Sequence, residues 1–249
     1  MTITLYDIPS TVPGRAWSPS VWKTRYCLNY KGLEHKTEWV EWPDLETTFV
    51  KLGIPATSKR ADGSSRYTVP AIFDSTTGVY LAESFEIAQY LDHAYPDTPR
   101  IFPNSTTGMQ KGFQMAFGSL IEPIVPFLVP AEGEKLTVVS QEYFRRTREK
   151  MYGKSLEDVP PKGQDKVREW AKLKDNMGVV NEWYCMSGNP GPFLLGETAS
   201  WADFLVGAIF IWGKVIWGDN SHEWKDIELW HDGRWKALLD SLSIYQRVT

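Results

Sequence analysis

The sequence predicts an α/β domain followed by an all-α domain, and three observations support that division. Segments typical of strands alternate with segments typical of helices over residues 1–95. Residues 96–108 contain three prolines among polar residues, which is typical of a linker. From residue 109 the strand patterns stop, and helical spacing continues towards residue 249. We therefore expect domains at 1–95 and 109–249, joined by 96–108.

The first expected elements are a strand, a helix and a second strand. Residues 2–6 are mostly β-branched or aromatic, which favours a strand. Ser18 and Pro19 suit the N-cap and the first position of a helix, and the apolar residues that follow have helical spacing. Gly32 suits the end of this helix, and residues 35–40 alternate weakly, as in a strand.

The rest of the first domain completes the order β-α-β-α-β-β-α. A short helix is expected over 43–52, followed by a long loop over 53–67 that contains Pro, Gly and Ser. Two strands over 69–73 and 78–82 flank a turn, as in a hairpin. The last helix passes through 87–95, where apolar residues recur every three or four positions.

The second domain shows four amphipathic helical faces, each built from apolar residues three or four positions apart. Such faces pack against one another around a shared core, so an all-helical domain is expected. The faces comprise Phe113, Phe117, Leu120, Ile121 and Ile124; Trp170, Leu173, Met177, Val180 and Tyr184; Trp201, Phe204, Leu205, Ala208, Ile209 and Trp212; and Trp235, Leu238, Leu239 and Leu242.

Composition excludes several classes of partner. The 27 basic and 31 acidic residues give a net charge of -4 without a basic run, so nucleic acid and anionic membranes are poor partners. Two cysteines and four histidines lack metal-ligand spacing, and no metal is expected. Residues 1–10 do not resemble a signal peptide, and the most apolar run, 204–217, is too short to span a bilayer. A cytoplasmic location is expected.

Four short motifs stand where helices or strands are expected to begin. Each alone has an ordinary structural explanation, since serine caps helices, proline starts edge strands and acidic residues favour helix N-termini. The set in this order is more specific than any single member. In chain order the motifs are Ser18-Pro19, Val69-Pro70, Glu83-Ser84 and the capping box of Ser200 and Asp203.

This set of motifs resembles that of the glutathione transferase family. The resemblance covers nearly the whole chain and implies a thioredoxin-like N-terminal domain followed by an all-helical C-terminal domain. The stretch SPSVWKTRY at 18–26, with Lys31-Gly32 after it, is similar to bacterial β-etherases and to their fungal etherase-like relatives. That branch includes carriers of aromatic ligands, or ligandins. The resemblance also implies glutathione as co-substrate and a homodimer.

The resemblance places the glutathione thiol at the start of the first helix. A free thiol has a pKa of about 8.5, so a hydrogen-bond donor at a helix N-terminus would stabilise the thiolate. Ser18 is the expected donor, with Ser20, in the same helical turn, as the alternative. A serine at position 18 cannot form a mixed disulfide, which argues against thiol–disulfide exchange.

The same resemblance assigns the rest of the tripeptide. Val69, before Pro70, would offer its main-chain N–H and C=O to the cysteinyl unit, and the isomer of their peptide bond stays open. Glu83 would pair with the γ-glutamyl ammonium. Ser84, at a helix N-terminus, would hold the γ-glutamyl carboxylate.

The remaining candidates are weighed against a purely structural role. Arg66 in the 53–67 loop could reach the glycyl carboxylate, and Trp42 could line the same wall, although a solvated loop and a core tryptophan are the alternatives. The acceptor site of the family lies between the domains. Its candidates here are Trp17, Phe113, Phe117, Ile121 and Trp217, although a place in the core is the more common role for each such residue.

Two functions from different classes fit these residues. The first is an enzyme in which the glutathione thiolate attacks an aromatic electrophile, with aryl ether cleavage as the reaction of the etherase-like branch. The second is a non-catalytic carrier of aromatic small molecules such as polyphenols, for which 12 tryptophans offer stacking surfaces. An interaction module without catalysis is disfavoured because the thiol and peptide motifs occur together. The first two functions stay open.

Overall fold

The α/β part of the chain is built on a four-stranded mixed sheet. The structure is a computed structural model that describes residues 2–186, 188 and 191–249. The strands are β1 (Ile3–Asp7), β2 (His35–Trp39), β3 (Ser58–Lys59), β4 (Ser65–Arg66), β5 (Ala71–Asp74) and β6 (Val79–Ala82). In the sheet order β2-β1-β5-β6, β1 is parallel to β2, whereas β5 is antiparallel to both of its neighbours.

Three helices complete this domain, and the predicted thioredoxin-like class is confirmed. They are α1 (Pro19–Tyr30), α2 (Leu45–Leu52) and α3 (Ser84–Ala94). Helices α1 and α3 pack against each other, and α3 also contacts β5 and β6. A buried ion pair of 2.8 Å joins Lys31 Nζ, just after α1, to Asp92 Oδ1 on α3. The Asp92 carboxylate also accepts hydrogen bonds from the N–H groups of Ile101 and Phe102, which fastens the interdomain segment.

A second buried ion pair fastens the first strand to the first helix. Arg25 Nη2 lies 2.9 Å from Asp7 Oδ2, and both side chains are excluded from solvent. Arg25 also donates to Thr37 Oγ1 on β2, at 2.9 Å. Burial raises the pKa of Asp7 to about 6, although the guanidinium lowers it. The pair therefore orients the end of β1 and α1, from which the site is built.

The segment 53–67 differs from the expected loop because it contains the two-stranded ribbon of β3 and β4. Its turn is closed by hydrogen bonds from Arg60 N–H to Ser64 O and from Ser64 N–H to the Asp62 carboxylate. Gly63 has φ of +83°, which a glycine adopts without strain. The Asp-Gly turn therefore allows a short hairpin where the composition indicates only a loop.

The second part of the chain is all-helical, as predicted. Its helices are α4 (Thr107–Ile121), α5 (Val125–Lys135), α6 (Val138–Tyr152), α7 (Gly163–Met186), α8 (Trp201–Trp217), α9 (His222–Leu229) and α10 (Arg234–Ser241). The four expected apolar faces belong to α4, α7, α8 and α10. The predicted capping box is present at the start of α8, where Asp203 Oδ2 accepts from Ser200 N–H and Oγ at 2.9 Å.

The two domains meet mainly through α1 and α8. Gly207 of α8 allows this close approach, because a Cβ there would lie 2.5 Å from Leu242 and 3.5 Å from Tyr26. Tyr26 stacks on Phe204, with ring centroids 5.8 Å apart. Both rings are buried, so the domain junction is part of one continuous core.

Two further contacts tie the α/β domain to the corner between α5 and α6. In the long loop after β1, Thr11 N–H and Oγ1 both donate to the carbonyl of Lys135. After β2, Glu41 Oε2 accepts from the hydroxyls of Thr137 and Ser140, each at 2.5 Å. The start of α6 is therefore held at a defined place beside the α/β domain.

One helical run, 107–135, is long and apolar enough to cross a membrane by length and composition alone. This run differs from residues 204–217, which the sequence indicates as the most apolar segment. It is divided by a 3-10 turn between α4 and α5. These helices pack on α7 and α8, and core helices satisfy the same criterion.

Candidate functional site

A cavity of about 790 Å³ opens between the two domains. Its α/β wall comprises the start of α1, the segment before α2 and the β3–β4 ribbon, and its helical wall comprises α5, α6 and α8. The lining residues are Ile8, Trp17, Ser18, Pro19, Ser20, Trp42, Leu45, Lys59, Arg60, Ala61, Arg66, Tyr67, Thr68 and Val69 from the first domain, and Val125, Val129, Glu132, Tyr143, Thr147, Arg148, Lys150, Met151, Tyr152 and Trp212 from the second.

Ser18 occupies the N-cap position of α1, but its hydroxyl does not cap the helix. Its carbonyl oxygen accepts from the N–H groups of Val21 and Trp22 at 3.1 and 2.9 Å, whereas its Oγ bonds to no other described residue. The residue is buried and lines the cavity. Its hydroxyl is therefore free, at a helix N-terminus that favours an anion. Ser20 lines the same cavity from the first turn.

Val69 lines the cavity and carries main-chain groups that are open to a ligand. It lies just before β5, and its peptide bond to Pro70 is cis. Its N–H and its carbonyl oxygen form no backbone hydrogen bond with the described residues. Val69 lines the cavity, whereas Pro70 lies outside the lining.

The Glu83-Ser84 motif begins α3 just outside the cavity lining. Glu83 is exposed and has φ of +74°, a conformation that costs energy for a residue with a side chain and is typical of functional sites. Its charge raises the pKa of Lys23, which burial nevertheless lowers to about 8. Ser84 is buried at the first position of α3. A carboxylate and a helix N-terminus therefore lie side by side.

The rim of the cavity is cationic on the ribbon side. Lys59, Arg60 and Arg66 belong to or follow the two ribbon strands, and all three line the cavity. Arg60 is paired with Glu46 at 2.7 Å, but Arg66 forms no ion pair with the described residues. Arg66 is therefore the ribbon arginine available to a carboxylate.

Tryptophans form much of the apolar wall. The rings of Trp17 and Trp42 are 5.9 Å apart, and the Trp17 indole N–H donates to the carbonyl of Ile8. The N–H of Trp42 donates to Ser140 Oγ at 2.9 Å, so the Glu41–Trp42 segment is tied to α6 through its main chain as well. On the helical side of the cavity, Trp212 of α8 adds a third indole to the wall.

Four of the acceptor-site candidates lie outside the cavity lining. Phe113 stacks on Phe117 and meets Trp183 edge to face, at centroid distances of 5.9 and 5.5 Å. Ile121 is buried in the same helical core. The Trp217 indole N–H donates to the carbonyl of Phe127 at 3.4 Å. Trp17 is the acceptor candidate that the structure places in the cavity wall.

The helical wall contains polar groups that the sequence patterns did not indicate. Helix α6 supplies six lining residues: Tyr143, Thr147, Arg148, Lys150, Met151 and Tyr152. Its sequence, VVSQEYFRRTREKMY, is largely polar and lacks a clear apolar stripe, so periodicity does not reveal it. The contact of Glu41 with Thr137 and Ser140 at the start of α6 indicates that the helix lines the cavity only when the fold is known.

Arg148 is held between aromatic rings. Its guanidinium carbon lies 4.9 Å from the ring centroids of both Trp42 and Phe144. It forms no ion pair within 4.0 Å among the described residues, and burial lowers its pKa while Glu132 raises it. Stacking thus fixes a cation in the cavity wall without neutralising it.

Two family models match the chain. The model for the N-terminal domain of glutathione S-transferase matches residues 17–94, and the model for the C-terminal domain matches residues 108–245. The second match alone spans more than half of the sequence. The chain belongs to the glutathione S-transferase family. Membership in that family supports glutathione transferase activity as its function.

The relatives of this glutathione S-transferase include several fungal proteins. The glutathione S-transferase-like protein ustS of Aspergillus flavus is 33% identical over 254 residues, covering 94% of this chain and 87% of the relative. The crystal structure of CsGST63524 of Ceriporiopsis subvermispora, in complex with glutathione, is 41% identical, with a TM-score of 0.94 over 99% of this chain and 98% of its own. GSTFuA3 of Phanerochaete chrysosporium is 37% identical, with a TM-score of 0.94 over 100% and 99%.

Proposed function

We propose that this protein is a serine-type glutathione transferase that joins the glutathione sulfur to aromatic electrophiles. The observation that carries the proposal is the Ser18 hydroxyl, which is free, buried and placed at the N-terminus of α1 in the cavity wall. A hydroxyl donor and a helix dipole both stabilise a thiolate. Ser20 is the alternative donor, because it lines the cavity from the same first turn of the helix.

The neighbouring groups suit the other parts of glutathione. The open main-chain groups of Val69 match the cysteinyl unit, and the adjacent Glu83 and Ser84 match an ammonium and a carboxylate. Arg66 and Trp42 would hold the glycyl end, because Arg66 forms no ion pair with the described residues and both line the cavity. A relative of 41% identity has been crystallised with glutathione, which supports the same ligand here.

The acceptor is proposed to be an aromatic compound, with aryl ethers as the preferred class. The tryptophans Trp17, Trp42 and Trp212 offer flat apolar faces to it. The enzyme would supply thiolate stabilisation and alignment of the reacting atoms.

The test is a glutathione-dependent turnover screen. Purified protein is assayed on an aryl ether, an aryl halide and an isothiocyanate, with product identified by mass spectrometry. Glutathione conjugates that form faster than in the enzyme-free reaction are the expected result. The absence of conjugates from all three classes, with glutathione bound, would contradict the transferase proposal.

A carrier of aromatic molecules is the second candidate, favoured by the size of the cavity and its three tryptophans. It predicts saturable binding of a flat polyphenol without chemical change. Displacement of a fluorescent aromatic probe, measured beside the turnover screen, separates the two functions. Binding without any conjugate would favour the carrier.

A homodimer in the cytoplasm is part of the same proposal. Met109 and Met115 of α4 are large apolar side chains exposed on the single chain, and a second copy would cover such a surface. Size-exclusion chromatography with light scattering tests this: a single species at the monomer mass would contradict it.

A further inference from the structure

The cavity contains a buried carboxyl group to which glutathione binding assigns no task. Glu132 lies in the middle of α5 and is 5% exposed, and it lines the cavity from the helical wall. It forms no ion pair with any described cation within 4.0 Å. A carboxyl buried in this way is costly unless a partner is present, so a Leu or Met would serve packing better.

The surroundings keep this carboxyl protonated at neutral pH. Burial raises the pKa of Glu132 to about 8. Two groups oppose that rise: the Arg148 guanidinium on α6, by its charge, and the Trp212 indole on α8. The Trp212 Nε1–H is buried and forms no hydrogen bond with the described residues. The other titratable groups that line the cavity are Tyr143, Lys150 and Tyr152 on α6, and Lys59, Arg60, Arg66 and Tyr67 on the ribbon side.

The position of Glu132 relative to Ser18 gives the carboxyl a chemical use. Ser18 and the N-terminus of α1 lie in the α/β wall, whereas Glu132, Arg148 and Trp212 lie in the helical wall. An acceptor between the walls has the sulfur nucleophile on one side and proton donors on the other. Trp42 of the α/β wall contacts the helical wall as well, because Arg148 stacks on its ring.

We propose that Glu132 is a second catalytic residue, the general acid that protonates the oxygen leaving an aryl ether acceptor. The proposal rests on the transferase function proposed above. Arg148 is a positioning residue: stacked in place, it stabilises the carboxylate that forms when the proton has left. The substrate class is accordingly an ether whose leaving group is a phenol.

The step balances as a substitution without redox change. The glutathione thiolate forms a C–S bond to the carbon that carries the aryloxy group. The C–O bond breaks, and its electron pair goes to the aryloxy oxygen. The Glu132 proton moves to that oxygen, so a neutral phenol departs, and solvent later restores the proton to the carboxylate. A phenol has a pKa of about 10, as tyrosine does, so transfer from Glu132 to a phenolate is downhill.

The experiment compares two acceptors that differ only in the leaving group. Phenacyl phenyl ether releases phenolate, which benefits from a proton, whereas phenacyl chloride releases chloride, which does not. For Glu132→Gln at pH 7, the ratio of kcat/KM for the ether to that for the chloride should fall about 10²–10⁴-fold, the usual contribution of a general acid. Glu134→Gln, an exposed carboxyl on the same helix, is the matched control and should keep the wild-type ratio.

The pH profile gives a second readout that a structural role would not produce. With wild-type protein, kcat/KM for the ether should fall above the Glu132 pKa of about 8, whereas for the chloride it should not fall there. If Glu132→Gln does not fold, this wild-type comparison still decides the matter.

Four results would overturn the proposal. An equal loss on both acceptors in Glu132→Gln indicates a structural role. Profiles of the same shape for both acceptors exclude the proton donor. Turnover of the chloride without turnover of the ether leaves the transferase function standing and refutes the general acid. Turnover of neither acceptor refutes the transferase function, and the general acid falls with it.

Discussion

The two walls of the interdomain cavity differ in how their chemistry is positioned. In the α/β wall, Ser18 and Val69 lie at the start of a helix and just before a strand, and their polar groups are presented by the backbone geometry. In the helical wall, Glu132, Arg148 and Trp212 lie inside helices, and only packing decides which way they face.

From this difference we infer that the α/β wall suits glutathione, which is the same in every reaction, whereas the helical wall suits acceptors that vary. Helix starts and strand starts hold main-chain groups and caps in fixed places, as a tripeptide with invariant groups requires. Side chains of α5 and α6 supply the helical wall, and we propose that they select the acceptor. The predictions below separate the two walls by the property each one should control.

The largest effect is expected at Ser18. Ser18→Ala should lower kcat about 10²–10³-fold, because the thiolate loses a preorganised donor, by analogy with oxyanion-hole donors. Affinity for glutathione should change only a few-fold, since the hydroxyl meets the sulfur and not the peptide ends. Steady-state kinetics and calorimetry measure both quantities. Ser20→Ala is the control, and a reversal of the two results would assign the role to Ser20.

Glu83→Ala should show the opposite pattern, with glutathione bound more weakly. Loss of a charge-assisted bond of about 1.5–3 kcal/mol corresponds to roughly a 10–150-fold rise in Kd. Glu86→Ala removes an exposed carboxylate from the first turn of the same helix and serves as the control. Unchanged affinity in a calorimetric titration of Glu83→Ala would remove this residue from the site.

Glu132 also makes a prediction about stability that does not depend on turnover. Its pKa is about 8 in the folded protein, against an ordinary value of 4.5, so the folded state holds more protons between these pH values. The stability that this group contributes is therefore full below pH 4.5 and is lost as the pH rises through 8.

In thermal unfolding, Glu132→Gln should gain in Tm relative to wild type as the pH is raised from 5 to 9. Each kcal/mol corresponds to about 2–4 °C in a chain of this size. Glu134→Gln should follow the wild-type curve. A constant difference between Glu132→Gln and wild type at every pH would show that the carboxyl does not titrate in this range.

The smallest effect concerns the aromatic acceptor. A naphthalene sulfonate is expected to bind with micromolar affinity, about -8 kcal/mol, and to quench tryptophan fluorescence. Trp42→Phe should weaken binding several-fold because the indole lines the cavity, whereas Trp217→Phe should not, because Trp217 packs against Trp170 and Phe127. If Trp217→Phe weakened binding and Trp42→Phe did not, the aromatic ligand would lie in the helical core or at a subunit interface.

Much of the fold could be predicted because its elements begin and end at distinctive residues. The Ser-Pro helix start, the capping box and the four apolar faces all lie where the structure has helices. Helix α6 was missed because its polar sequence is held by contacts from outside, through Glu41 and Trp42, instead of by its own apolar stripe. The β3–β4 ribbon was missed because its strands are two residues each.

The two-part architecture and the motifs of the α/β wall follow from the amino-acid sequence alone. Caps, turns and periodicity are local, so short stretches of residues reveal them. Tertiary packing places Phe117 and Ile121 in the core, with Phe113 and Trp217 packed against it, and it brings Glu132 and Arg148 to the cavity. Apolar residues at helical spacing look alike whether they meet another helix or a ligand. A charged residue within a helix faces a cavity only when neighbouring elements close around it, and those elements lie far away in the chain.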